Sequence, residues 1–368
     1  MINLGDKQST IVVAMSGGVD SSAVAAMLHE QGYNVIGITL QLYDHGIAVG
    51  KKNACCAGQD IYDAKMVANK LGIPHYVLDY ESKFKESVID NFVDSYLQGE
   101  TPLPCVQCNK LVKFRDLIKT AKELGAVQLA TGHYVRKINV DNRAELYTGL
   151  DPVKDQSYFL FTTTKEQLEY LTFPLGGLTK DETRKLASKF GLDVAYKPDS
   201  QDICFVPDRN YKSVITKIRP GSSERGKIIH INGFELGEHS GIINYTIGQR
   251  RGLGVAYNEP LYVIKIDPNN NIVYVGPESA LNVQEFIIKD VNWLADEIQD
   301  NEKLEVAVKI RSTRPPRLAE ISKFGDDKMK VKFLSEEKAV APGQACVIYA
   351  GERVLGGGWI TRDIIITP

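Results

Sequence analysis

Two kinds of residues in this chain are equipped for chemistry, a glycine-serine loop and a set of thiols. Residues 14–23 read AMSGGVDSSA, directly after the apolar run IVV and before AVAAML. Gly17 and Gly18 let the backbone come close to a ligand and turn its N–H groups inward. Ser16, Ser21 and Ser22 add hydroxyl donors, and the helix that follows offers its positive N-terminus. Such a cradle suits an anion, above all a phosphate. It has no lysine of the GxxxxGK[ST] kind and no third glycine of the dinucleotide fingerprint. Asp20 is the odd member: facing phosphates, a carboxylate needs Mg²⁺ between them, unless it serves only as a helix-start charge. The plainer reading is a strand-to-helix turn with serines as N-caps.

The six cysteines differ in setting. Cys105 and Cys108 form a CxxC in TPLPCVQCNKLVKF, just before an amphipathic helix, where a thiol is expected to shift toward the reactive thiolate. Cys204 lies in DSQDICFVPD, a loop flanked by carboxylates and proline. Cys346, inside ACVIY, reads as a small buried hydrophobe, and the adjacent Cys55 and Cys56 show no catalytic spacing. A structural zinc wants four Cys or His ligands. With one further cysteine expected at the surface, the CxxC is read as reactive.

The elements that must position these groups alternate. IVVAM, VIGITL and HYVLDY read as strands, while SSAVAAMLHEQG, DIYDAKMVANKLG, KFRDLIKTAKELG and TKDETRKLASKFG read as helices closed by glycine. Strand–helix repetition of this kind predicts a doubly wound parallel α/β sheet. After about Phe205 short alternating runs such as KIIHI, LYVIKID and NIVYVG predict a small β-rich domain, and EFIIKDVNWL, LEVAVKI, KMKVKFL and ACVIYAGERVLGGGWI a β-barrel. The expected division is 1–209, 210–281 and 282–368.

With 368 residues, 43% hydrophobic and 24% charged, the composition is that of a globular chain with more than one core. A net charge of -2 carries no global basic field, so a nucleic-acid partner must be met by local patches. The opening MINLGDKQST lacks the apolar stretch of a secretory leader. No apolar run approaches the ~20 residues that cross a bilayer. A cytoplasmic chain with reduced thiols and no membrane contact is expected.

SGGxDS after a strand resembles the PP-loop, the pyrophosphate-binding signature of ATP pyrophosphatases, which cleave ATP between the α and β phosphates and activate an acceptor oxygen as its adenylate. Together with TPLPCVQCNKLVKF, LATGHYVRK, GLDPVKDQSYFL, DSQDICF and YTIGQRRGLG, in this order across nearly the whole chain, it resembles the bacterial tRNA-specific 2-thiouridylase family. The resemblance implies thiolation at C2 of the wobble uridine in the anticodon stem-loop, on glutamate, lysine and glutamine tRNAs, with ATP, Mg²⁺ and a persulfide sulfur-donor protein. It implies that Ala14, Met15, Ser16, Gly17, Gly18, Val19, Asp20 and Ser21 hold ATP, with Leu40 and Gly132 against the adenosine. Cys204 would carry the sulfur as a persulfide, and Cys108 would close a disulfide with it as sulfur departs. Leu103, Pro104 and Cys105 fall on the target-base contact. His133, Lys154, Asp155, Gln156, Arg311, Ser312 and Gln344 fall on tRNA contacts. An unpaired wobble base is reached without opening a duplex. KIRSTRPPR and QRRGLG are basic segments that suit phosphates, although such runs also occur as plain solvated faces.

A well-known subset of the family has an aspartate, assigned acid–base work, where this chain has Cys105. An ordinary thiol is a poor substitute. One alternative is therefore a [4Fe–4S] cluster on Cys105, Cys108 and Cys204, with sulfide on the open iron. Two others are another PP-loop ligase, such as a tRNA-lysidine synthetase, and a non-catalytic tRNA-binding protein that senses nucleotide.

Overall fold

Short apolar runs with a β-branched bias form the strands of the first sheet. In the computed structural model, which describes residues 6–43, 56–199, 203–206 and 210–366, β1 (Thr10–Ala14) is followed by α1 (Val19–Glu30), β2 (Asn34–Gln41), α2 (Cys56–Leu71) and β3 (His75–Asp79). Next come α3 and β4 (Gln128–Ala130). Helix α3 runs as Pro104–Gln107, a π-helical stretch Cys108–Leu117, and Ile118–Glu123. A hairpin of β5 (Val135–Val140) and β6 (Arg143–Thr148), β7 (Leu171–Thr172) and α4 (Lys180–Lys189) follow, with short helices between. The sheet order is β3-β2-β1-β4-β7, with every neighbouring pair parallel. From β1 the chain builds outward to β3, then returns to the other side of β1 with β4. The crevice beyond the carboxyl ends of β1 and β4 is therefore the topological switch point, where open α/β sheets bind ligands.

Helix α1 is buried on several sides, with Ala23, Val24, Ala25 and Leu28 at 0% exposure, as expected for a helix without a polar face. Gly32 (φ +89°) ends it in a Schellman turn: its N–H donates to His29 O and that of Tyr33 to Leu28 O. The β5–β6 hairpin was not foreseen. Asp141 and Asn142, both left-handed (φ 49° and 61°), turn it, as the tightest hairpins require.

The remaining strands form a four-stranded sheet, β10 (Tyr262–Asp267), β11 (Ile272–Gly276), β8 (Gly226–His230) and β9 (Glu235–His239), in that spatial order. A closed antiparallel barrel follows, of β12 (Asn282–Trp293), β15 (Met329–Lys338), β14 (Arg317–Lys323), β13 (Lys303–Lys309), β16 (Ala345–Ala350) and β17 (Arg353–Ile366). Pairing of β12 with β17 closes it. Phe286, Phe333, Ile348 and Cys346 fill its centre, and Cys346 is the buried hydrophobe expected. Two compact units divide the chain: Met1–Val88 with Cys105–Arg209 and Glu352–Val354, and Ile89–Pro104 with Asn210–Gly351 and Leu355–Pro368. The second holds both the four-stranded sheet and the barrel. Cys55 and the side chain of Cys56 lie outside the described residues. Among the described residues, no helix is long and apolar enough to cross a membrane.

Candidate functional site

The loop after β1 is held open from behind. Met15 N–H donates to Ile38 O of β2 at 2.8 Å, and the side chains of Met15 and Val19 are buried in the core of the first unit. Those two residues therefore face a ligand with backbone only. Gly17 has φ +74°, and a Cβ there would lie 2.1 Å from Asp60 O of α2. Gly18 is the N-cap of α1 in extended conformation, with no side-chain cap. The serines are not N-caps. Ser21 Oγ accepts the Ser16 N–H at 3.0 Å, and the Ser22 hydroxyl donates to Gly18 O at 2.8 Å. Ser16 remains exposed at the mouth. Gly132, just past β4, packs on the start of α1: a Cβ would meet Ser21 N at 2.9 Å and Asp20 Cβ at 3.0 Å. Leu40 lies near the end of β2, half-buried. The structure thus gathers residues 14–21, Leu40 and Gly132 at the carboxyl ends of three adjacent strands.

Asp20 has a partner that the sequence did not reveal. Both its oxygens accept from Lys180 Nζ, at 2.7 and 2.8 Å, and Oδ1 also accepts from the Tyr134 hydroxyl at 2.8 Å. Asp20 does stand in the first turn of α1, as a helix-start charge would, and its carboxylate is in addition engaged by Lys180. Lys180 is buried and also pairs with Asp199 at 2.9 Å. Lys154 and Arg184 bond the same Asp199 carboxylate at 2.6 and 2.7 Å. Burial alone would raise the Asp199 carboxyl, but hydrogen bonds and charge from Lys154 and Lys180 hold it down at about 2. Lys197 donates to Gly17 O at 3.1 Å, Asp60 at 2.7 Å and Asp63 at 2.5 Å. Cations absent from the loop motif thus arrive from elsewhere in the chain.

The thiols form a second group in the same unit. Cys105 and Cys204 reach solvent, Cys108 is buried, and all three are free. They influence one another electrostatically, with Lys113 as their common cation. The expected shift toward thiolate is not what the structure holds. Cys108 is buried, and Cys105 and Cys204, though they keep surface, have enough protein around them that desolvation outweighs the opposing charge of Lys113, so Cys105 and Cys108 lie above the ordinary range. Cys204 is pushed up to about 12 by desolvation and the neighbouring thiols, against a hydrogen bond from Tyr43. His133 borders this group. Desolvation and the charge of Lys113 lower it to about 3, and its Nδ1 bonds Thr131 Oγ1 at 2.9 Å.

Comparison with known proteins matches residues 9–208 to the family model described as tRNA methyl transferase HUP domain. Residues 212–277 match its PRC-barrel domain, and 283–360 an aminomethyltransferase beta-barrel domain. The tRNA-specific 2-thiouridylase MnmA of Rickettsia africae is 92% identical over 364 residues, 99% of this chain and 100% of its own. That of Rickettsia canadensis is 91% identical over 367 residues, 100% of each chain. The chain belongs to the tRNA-specific 2-thiouridylase family. A solved 4-thiouridine synthetase–RNA complex with bound ATP aligns at a TM-score of 0.37 and 18% identity, over 56% of this chain and 51% of that one. That likeness is too loose to support any inference.

Most of the residues that the thiouridylase resemblance assigned to tRNA have structural partners. Lys154 is bound to Asp199. Asp155 accepts from the N–H groups of Gly149 and Ser157, and Gln156 Oε1 from the Tyr134 N–H at 2.9 Å. Arg311 Nη2 donates to Ala339 O at 2.9 Å, Gln344 Nε2 to Thr101 O at 2.9 Å, and Ser312 sits half-buried beside Arg311. In KIRSTRPPR, Arg314 and Arg317 share the buried carboxylate of Glu337 at 2.6 and 2.9 Å, which neutralises part of the basic run. Arg250 and Arg251 of QRRGLG are exposed. Leu103 and Pro104 fall in the second compact unit and Cys105 in the first. Among the described residues, no three Cys, His, Asp or Glu side chains are grouped as a metal ion would need. The described geometry therefore does not gather Cys105, Cys108 and Cys204 as the ligands of an iron–sulfur cluster.

Proposed function

We propose that this chain is an ATP-dependent tRNA-uridine 2-sulfurtransferase acting on the wobble uridine. The observation that carries it is full-length identity of 91–92% to tRNA-specific 2-thiouridylases, in a chain whose phosphate-type loop and reactive-thiol candidates lie in one compact unit. Residues 14–21, with Leu40 and Gly132, bind ATP, supplied as its Mg²⁺ complex. The uridine C2 oxygen attacks the α-phosphorus, the bond to the β-phosphate breaks, and pyrophosphate leaves. A poor leaving group has become AMP.

The terminal sulfur of a Cys204 persulfide, delivered by a donor protein, then attacks C2 and expels AMP. Cys108, after loss of its proton, attacks the Cys204 sulfur. The S–S bond to the tRNA breaks, its electrons complete the C2 thiocarbonyl, and a Cys108–Cys204 disulfide remains for an external thiol to reduce. Raised thiols suit this order, because a protonated Cys108 does not discharge the persulfide before the adenylate is in place. Leu103, Pro104 and Cys105 contact the target base. His133, Lys154, Asp155, Gln156, Arg311, Ser312 and Gln344 contact tRNA. Three consecutive domains, 1–209, 210–281 and 282–368, divide these tasks in a cytoplasmic enzyme.

The test is mass spectrometry of the wobble uridine after incubation with ATP, Mg²⁺, a persulfide donor and unmodified tRNA. Wild type should gain one sulfur for oxygen, while Cys108→Ser and Cys204→Ser should release pyrophosphate yet leave uridine unthiolated. Unchanged uridine with wild type, aerobically and anaerobically alike, would overturn the assignment.

A further inference from the structure

The segment leading to Cys204 is tied to the phosphate loop by ion pairs that a phosphate would contest. Arg184, one turn after Lys180 on α4, donates to Ala195 O at 2.7 Å, Lys197 O at 3.0 Å and the Asp199 carboxylate. Lys197 reaches the carbonyl of Gly17, and Asp199 reaches Lys180, which itself grips Asp20. The cluster is rigidly placed. Lys180 is the first residue of α4, inside the capping box of Thr179 and Glu182, and its N–H donates to Asp151 at 3.0 Å. Three cations, Lys154, Lys180 and Arg184, converge on the single negative charge of Asp199.

A carboxylate held by three cations next to such a loop occupies the setting of a phosphate group. We propose that Asp199 is an internal stand-in for the nucleotide's β,γ-phosphates: it neutralises Lys180, the cation that also holds Asp20 of the loop, until pyrophosphate-bearing ligand arrives and takes it over. Asp199 is then a positioning residue. Cys204 lies five residues on, within about 17 Å of it even along a fully extended chain, so release of Asp199 from its cations is expected to change how Cys204 meets solvent. Coupling of this kind is reciprocal: whatever nucleotide binding does to the Asp199 segment, that segment does to nucleotide affinity. The inference rests on the loop being the ATP site.

Two measurements on the full chain test it. In wild type, Mg²⁺-pyrophosphate should speed alkylation of Cys204 by iodoacetamide, followed at the Cys204 peptide by mass spectrometry, about fivefold or more; adenosine should not. In Asp199→Asn, where the internal competitor is gone, calorimetry should find pyrophosphate bound about fivefold or more tighter than to wild type, and Cys204 alkylation should be fast with or without it. Pyrophosphate that binds wild type without changing Cys204 alkylation, or an Asp199→Asn chain that binds it no tighter, overturns the inference alone. If neither ATP nor pyrophosphate binds wild type, the ATP reading falls and takes the inference with it. The wild-type arm needs no variant to fold.

Discussion

Two adjacent glycines in the loop should respond oppositely to the same methyl group. At Gly17 an alanine must adopt φ +74°, which costs an L residue about 1–2 kcal/mol. Its Cβ would sit 2.1 Å from the Asp60 carbonyl oxygen, whereas ordinary contact begins at 3.4 Å, so α2 or the loop must give way by the difference. The atom it meets is backbone inside a helix, not the tip of a flexible side chain. Overpacking of this sort costs about 1–3 kcal/mol. Lys197, which anchors the Gly17 carbonyl to Asp60 and Asp63, would be dislodged in the same movement.

The sum is about 2–5 kcal/mol, which for a unit of this size lowers the melting temperature by roughly 5–15 °C. At Gly18 the backbone is extended, φ −92° and ψ 168°. The nearest atom to a new Cβ is Ser16 Oγ at 3.6 Å. Gly18→Ala should therefore melt close to wild type, the gain from a less free unfolded chain being offset by alanine's poor standing at the N-cap of α1. It should nevertheless bind ATP about tenfold more weakly, because its methyl takes space at the α1 N-terminus that a phosphate needs. Thermal melts and calorimetric ATP titrations of both variants decide it. A Gly17→Ala chain as stable as wild type refutes the steric reasoning. A Gly18→Ala chain with undiminished affinity removes this loop from the phosphate site.

The thiol and charge networks make further expectations. Because Cys204 is raised to about 12, its alkylation should climb steadily from pH 8 to 10.5; a plateau by pH 9 would mean that the sulfur is not desolvated. His133, lowered to about 3, stays neutral in the folded chain while the unfolded chain takes up a proton near pH 6.5. It should contribute a loss of stability of at most about 1.4 kcal/mol per pH unit as pH falls below that value. Its ring signals in NMR should not titrate between pH 8 and 5, and a midpoint inside that interval would refute the burial argument. Glu337→Gln should free Arg314 and Arg317, steepening the salt dependence of tRNA binding by about one unit of slope. An unchanged slope would mean that the barrel's basic segment does not meet phosphate.

What the sequence made legible was mostly local. The strand–loop–helix around AMSGGVDSSA is contiguous, so its glycines and its position at a strand end follow from spacing alone, and the observed sheet has its switch point there. The alternating runs after Phe205 likewise carried the second sheet and the barrel. The thiols were visible as residues but not as acids. A helix start argues for thiolate, whereas the desolvation that decides the matter comes from tertiary neighbours that no spacing displays. Lys180 lies 160 residues from Asp20, in a helix, TKDETRKLASK, whose several charges do not by spacing name a partner.

One signal for Lys180 was nonetheless present. The T-x-x-E capping box fixes where α4 begins, and positions 180 and 184 then share a helix face. A phosphate loop that carries an aspartate and no lysine leaves both the carboxylate and its intended anion short of positive charge. That charge has to come from outside the motif, so in such a chain a lysine at the first position of a capped helix is the residue to look for. Here Lys180 meets that need by holding Asp20 from one side and Asp199 from the other.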